Sequence, residues 1–148
     1  ATPFMEINKN KIYVFDAIYT QEGSKITSQK IKAKIEQHGS VVNKIETNNQ
    51  GSVFVTMLQM MSVNVSGYYS SGNKEERISA WAQFISFIYF VEPDENSSTE
   101  YRQFIKHLQS YPKVGKHDDG HDDAEDAITE MMRYIWTNMR HLFMNQNQ

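Results

Sequence analysis

The last third of the chain carries the feature that most limits how it can fold. An acidic run at 115–127, GKHDDGHDDAEDA, is followed at once by apolar residues at helical spacing. Ile128, Met131, Met132, Ile135, Trp136, Met139, Leu142 and Phe143 fall on one face of a helix. A face that long has to be buried, so its acidic head is anchored to a core. The run holds five aspartates, Glu125 and the histidines His117 and His121. Carboxylates this dense repel one another, and either solvent or a cation must relieve them; hard divalent ions take oxygen ligands of this kind. Asp122 and Asp126 stand four apart, which on a helix puts both on one side. The simpler account is that acids at a helix N-terminus are favoured by the macrodipole and by capping, with no ligand at all.

Composition narrows the classes open to the rest. With 148 residues, 39% apolar and 12% aromatic, the chain suits one domain, 1–148, with a real core, and not a disordered tail. It has no cysteine, which excludes a disulfide scaffold and thiolate zinc sites. No apolar run is long enough to cross a bilayer, so no membrane partner is expected. The net charge of −3 argues against a nucleic-acid binder only until its distribution is considered. Much of the negative charge sits in the one acidic run, and the remainder is mildly basic, a balance compatible with holding metal by acids and phosphate by lysines.

From the start, residues 1–11 read as an extended segment ending in the polar turn 8–11, and residues 12–19 (IYVFDAIY) as its β-rich partner in a hairpin. Asp16 falls within that partner and reads as a turn or edge residue. Thr27 is placed to cap a helix running to His38, with Ile31 and Ile35 facing inward and Gly39 ending it. Residues 41–47 (VVNKIET) predict a strand covered by helices, closing at Glu46, after which 48–51 (NNQG) is a turn. Val53, Phe54, Met57, Leu58 and Met61 have helical spacing, and 63–69 alternates like a strand. Residues 70–77 (SSGNKEER) read as a polar loop carrying Lys74 and Arg77, then 78–85 as a short helix and 87–91 as a strand. Ser97 with Glu100 has the spacing of a capping box for a helix bearing Tyr101, Phe104, Ile105 and Leu108, ended by Pro112. The pattern is a hairpin, alternating helices and strands, and a long terminal helix: one α/β domain.

Glu46 thus closes a sheet strand, and Asp122 with Asp126 opens the last helix. Ligands of open α/β sheets gather beyond strand ends. Two divalent ions held there by carboxylates can activate a water and stabilise a leaving oxygen in phosphodiester hydrolysis. Four segments in order, IETNNQG at 45–51, GNKEERI at 72–78, EYRQFIKHLQSYPK at 100–113 and GHDDAEDA at 120–127, resemble the nuclease domain of the large terminase subunit of tailed bacteriophages and prophages. The resemblance implies an RNase H-like mixed sheet flanked by helices. It also implies an endonuclease that cuts concatemeric double-stranded DNA with two magnesium or manganese ions in the cytoplasm of a bacterial host. Its partners in that family are an upstream ATPase domain, a small terminase subunit and a portal. Carried residue by residue, the strand acid is Glu46 and the helix acids are drawn from Asp122, Asp123 and Asp126. Lys74 and Arg77 suit auxiliary phosphate contacts, although cations in a polar loop also read as plain surface. No phosphate loop of the Walker type occurs in the chain, so it carries no motor.

One departure bears on activity. The family places a further metal-binding Asp on a first strand, which would precede Ala1. The expectation is therefore that these 148 residues bind metal weakly and cut DNA poorly unless that strand is supplied. Asp16 follows the later strand and is a poor substitute. The alternative function is a non-catalytic, degenerate RNase H-like module that docks DNA or another partner. A calcium-stabilised loop at 117–126 is weaker still, since the regular ligand spacing of an EF-hand is missing.

Overall fold

A computed structural model describes residues 1–9, 11–47, 51–69, 73–114, 123–139 and 141. They form a mixed α/β arrangement in two compact units. One comprises Ala1–Tyr19 with Asn73–Gln148, the other Thr20–Gly72.

The first unit is built on the expected hairpin. Strand β1 (Thr2–Asn8) pairs antiparallel with β2 (Lys11–Ile18), with an irregularity between Phe4 and Met5. Met5 faces Val14 and Ile7 faces Ile12, so apolar residues of both strands share one side of the ribbon. A third strand, β5 (Ile88–Phe90), joins β2 in parallel, giving the order β1-β2-β5. Against this sheet lie the core residues of two long helices, α4 (Thr99–Val114) and α5 (Asp123–Met139). Ile12, Val14 and Ile88 from the strands meet Tyr101, Phe104 and Ile105 from α4 and Ile128, Met132 and Ile135 from α5. Trp81, Phe84 and Trp136 pack at the margin of that cluster, with the Phe84 ring 4.9 Å from Trp81 and 5.3 Å from Trp136. The apolar stripe read from the sequence is therefore the core face of α5 as far as Met139. Leu142 and Phe143 lie outside the described residues.

In this unit three helix boundaries differ from the sequence reading. Helix α3 (Lys74–Ala82) starts four residues before the expected Ile78, because the Asn73 side chain accepts the backbone N–H groups of Glu75 (2.8 Å) and Glu76 (3.3 Å). It passes into a 3-10 turn at Gln83–Phe87. Helix α4 is capped by Ser98, whose hydroxyl accepts the N–H of Tyr101 at 3.1 Å, and not by Ser97. Glu100 is drawn instead to the Tyr19 N–H, 2.8 Å away, so no capping box forms. Nor does Pro112 end the helix, which continues to Val114.

Asp16 also departs from expectation. It is buried inside β2, where its carboxylate accepts the Ala17 N–H at 2.9 Å and lies 3.5 Å from the Ser98 hydroxyl. Beside it the Tyr101 hydroxyl donates to the Val91 carbonyl at 2.6 Å and lies 3.1 Å from that of Val14. Burial pushes the Tyr101 phenol up to about 12, with the nearby Asp16 charge adding to the shift.

The second unit contains α1 (Ser24–His38), then β3 (Lys44–Glu46), α2 (Gly51–Met60) and β4 (Ser66–Tyr68). Helix α1 begins one turn earlier than expected, its first hydrogen bond running from the Thr27 N–H to the Gly23 carbonyl, while the Thr27 hydroxyl donates to Glu22. Gly39 ends it in the left-handed conformation, φ 64°, where a side chain would be strained. Strands β3 and β4 are shorter than read but lie in parallel, joined by α2 as a β-α-β unit. Ser28 and Ile31 on α1 and Leu58 on α2 are buried, and the two helices are in contact.

Candidate functional site

Each sequence-predicted acid is positioned by a different element. Glu46 is the last residue of β3, at the carboxyl end of a parallel strand, and is half-buried. Thr47 fastens that end to β4 twice, through its N–H (2.7 Å) and its hydroxyl (3.0 Å), both donating to the Tyr68 carbonyl. The first residue of α2 presses on the same point. A Cβ at Gly51 would collide with the Glu46 carbonyl, so the strand end and the helix start approach more closely than any side-chain-bearing residue allows.

Asp126 sits on the first turns of α5, within the first unit, and there meets Arg77 of α3. The guanidinium lies with one terminal nitrogen 3.3 Å from Oδ1 and 3.4 Å from Oδ2 of Asp126. Its Nε is 2.9 Å from Oε1 of Glu130, an ion-pair distance without hydrogen-bond alignment. Glu130 is nearly fully buried, at 3% side-chain exposure, and its Oε2 accepts from Arg133 at 2.9 Å. Two carboxylates and two guanidiniums thus form a charge-balanced network, with Arg77 and Asp126 each only 13% exposed. The spacing of 126, 130 and 133 places all three on one side of α5.

A second pair, from α4 to α5, stands beside it in sequence. His107 Nε2 is 3.3 Å from Oε2 of the buried Glu125, and the Tyr19 ring packs on the imidazole at 5.6 Å. Glu125 thus turns inward to α4 while Asp126 turns to α3.

The remaining expectations cannot be joined to this geometry. Asp122, the side chains of Asp123 and Lys74, and the loop residues His117, Asp118, Asp119, His121, Asn48 and Asn49 lie outside the described residues. Among the described residues no three His, Asp or Glu side chains come together as a metal-binding group. Among the described residues, too, no helix is long and apolar enough to cross a membrane.

Asn73, Glu130, Arg133 and His107 were not singled out from the sequence. Two of them left a signal: Asn73 stands three before Glu76, a capping spacing, and Glu130 stands four after Asp126. His107 left none, because its partner is contributed by another helix. No protein-family model matches the chain, and no curated protein matches it.

Proposed function

We propose that the chain is a metal-dependent endonuclease domain of the terminase type, with an RNase H-like fold, acting on double-stranded DNA. The observation that carries the reading is the position of Glu46 at the carboxyl end of β3, in a parallel β-α-β unit. Binding groups of open α/β sheets collect at that end of the strands. The order of the four sequence segments, with GHDDAEDA leading into α5, supports the same class. In this reading Glu46 and the acids Asp122 and Asp123 hold magnesium or manganese, and Lys74 steadies a phosphate. Two such ions would supply an activated water and stabilisation of the departing oxygen. An upstream ATPase, a small terminase subunit and a portal belong to the reading only as the partners of that family.

Calorimetric titration with manganese chloride tests it. Weak but saturable binding that Glu46→Ala lowers by at least about tenfold, together with slow nicking of supercoiled plasmid that the same change abolishes, is the expected result. Absence of both saturable binding and nicking would remove the nuclease assignment, and binding and nicking unaffected by Glu46→Ala would remove Glu46 from the site. DNA binding in a gel-shift assay with no metal uptake would favour a docking module.

A further inference from the structure

We propose that Arg77 is a positioning residue whose counter-ions are Asp126 and Glu130, so that the Asp126 charge is committed to holding α3 on α5 and not to a divalent ion. The inference rests on the nuclease reading only in its last clause. Its geometric basis is the bridge itself. One guanidinium spans two carboxylates a helical turn apart, at 2.9 Å and 3.3 Å, in a pocket where the three side chains are 3–13% exposed.

A metal on Asp126 would compete with the Arg77 guanidinium for the charge of the same carboxylate. The guanidinium would then lean more on Glu130, which already accepts from Arg133. Removing one partner of a buried ion pair is strongly unfavourable, because the other charge stays out of water. The bridge is also a geometric device. Arg offers donors on two edges of a rigid plane, which a lysine ammonium cannot reproduce across a helical turn. Residue 77 lies four after the Asn73 cap of α3, and residue 126 lies three after the first residue of α5. The contact therefore joins the first turns of both helices.

Five variants and two readouts decide the matter. Arg77→Met should lower the thermal unfolding midpoint steeply, since two acids are left facing each other. The triple variant Arg77→Met, Asp126→Asn, Glu130→Gln should recover most of that loss, because its buried groups are neutral and nearly isosteric. Arg77→Lys should fall between the two, keeping the charge but not the bridge. In manganese titrations Asp126→Asn should keep its affinity within about twofold of the unaltered chain, while Glu46→Ala loses it. A triple variant that melts as early as Arg77→Met would overturn the counter-ion role. A loss of about tenfold or more in manganese affinity for Asp126→Asn, with its melting unchanged, would make Asp126 a ligand and overturn the assignment. If the unaltered chain takes up no manganese, the nuclease reading fails. The melting series still decides whether Arg77 positions α5.

Discussion

Helices α1 and α5 both carry acid–base partners, yet the two sets differ in nearly everything except chemistry. On α1, Lys32 and Glu36 stand four apart at 3.8 Å with side chains 37% and 67% exposed, and Lys30 reaches Glu22 at 2.6 Å near the surface. On α5, Asp126 and Glu130 are shielded and share Arg77 with a neighbouring helix. Water and salt screen the first set, so each pair contributes little. The second is desolvated, so its net contribution over an apolar replacement is small, but breaking it is costly. The lesson is that charge spacing on a helix does not reveal what the charge does; the depth of the partner does. Asp126 reads as a ligand candidate from its acidic sequence neighbours, and its ion-pair partner stands 49 positions away.

The contrast can be broken most directly at Arg77. Arg77→Met is expected to destabilise by roughly 3–5 kcal/mol, the range for an orphaned buried charge, measured by urea denaturation. A loss below about 1 kcal/mol would put this network in the class of the α1 pairs. Next in size is the apolar core of the same unit. Met132→Ala, at a position of 0% exposure, should cost about 2–5 kcal/mol by thermal or urea unfolding.

A third test uses a buried polar group with no ion partner of its own. Tyr101→Phe should cost about 1–2 kcal/mol near neutrality, through loss of its hydrogen bond to Val91. The folded phenol is held at about 12 against an ordinary 10.0, so its neutral form is favoured by folding. That stability is fully present below the unfolded value and is lost as pH rises from about 10 to 12. Alkaline unfolding should therefore be steeper in the unaltered chain than in Tyr101→Phe; identical profiles would contradict the buried phenol. Smallest of all, Lys32→Met should change stability by no more than about 0.5 kcal/mol, an effect that should vanish in high salt.

Much of the architecture was legible where one periodicity spoke for a whole element. The hairpin and the core face of α5 came from β-branched content and helical spacing, and Gly39 ended α1 as a glycine there should. The start of α3 was missed because the polarity of SSGNKEER outweighed the Asn73 cap within it, and the start decided whether Arg77 lay in a loop or on a helix. Asp16 was misjudged because a strand acid is usually at an edge, whereas β2 is the central strand of its sheet, and Ser98, 82 residues away, stands 3.5 Å from its carboxylate. Glu100 had the spacing of a capping residue, but a distant N–H at Tyr19 competed for its carboxylate. In each instance local signals located an element, and a partner remote in sequence decided what its polar side chain did. The candidate site follows the same division. Glu46 was placed at a strand end by its local pattern, whereas the attachment of Asp126 to Arg77 had no local trace.

The contact between Gly51 and the Glu46 carbonyl limits how β3 can be altered. With no space for even a methyl group between the two backbones, alanine at position 51 would have to push the tip of the strand away from β4 or unwind the first turn of α2. Laboratory variation aimed at re-aiming the Glu46 carboxylate therefore has little slack on the helix side. It would have to come from the Thr47 side of the strand, where two hydrogen bonds to Tyr68 can be removed one at a time.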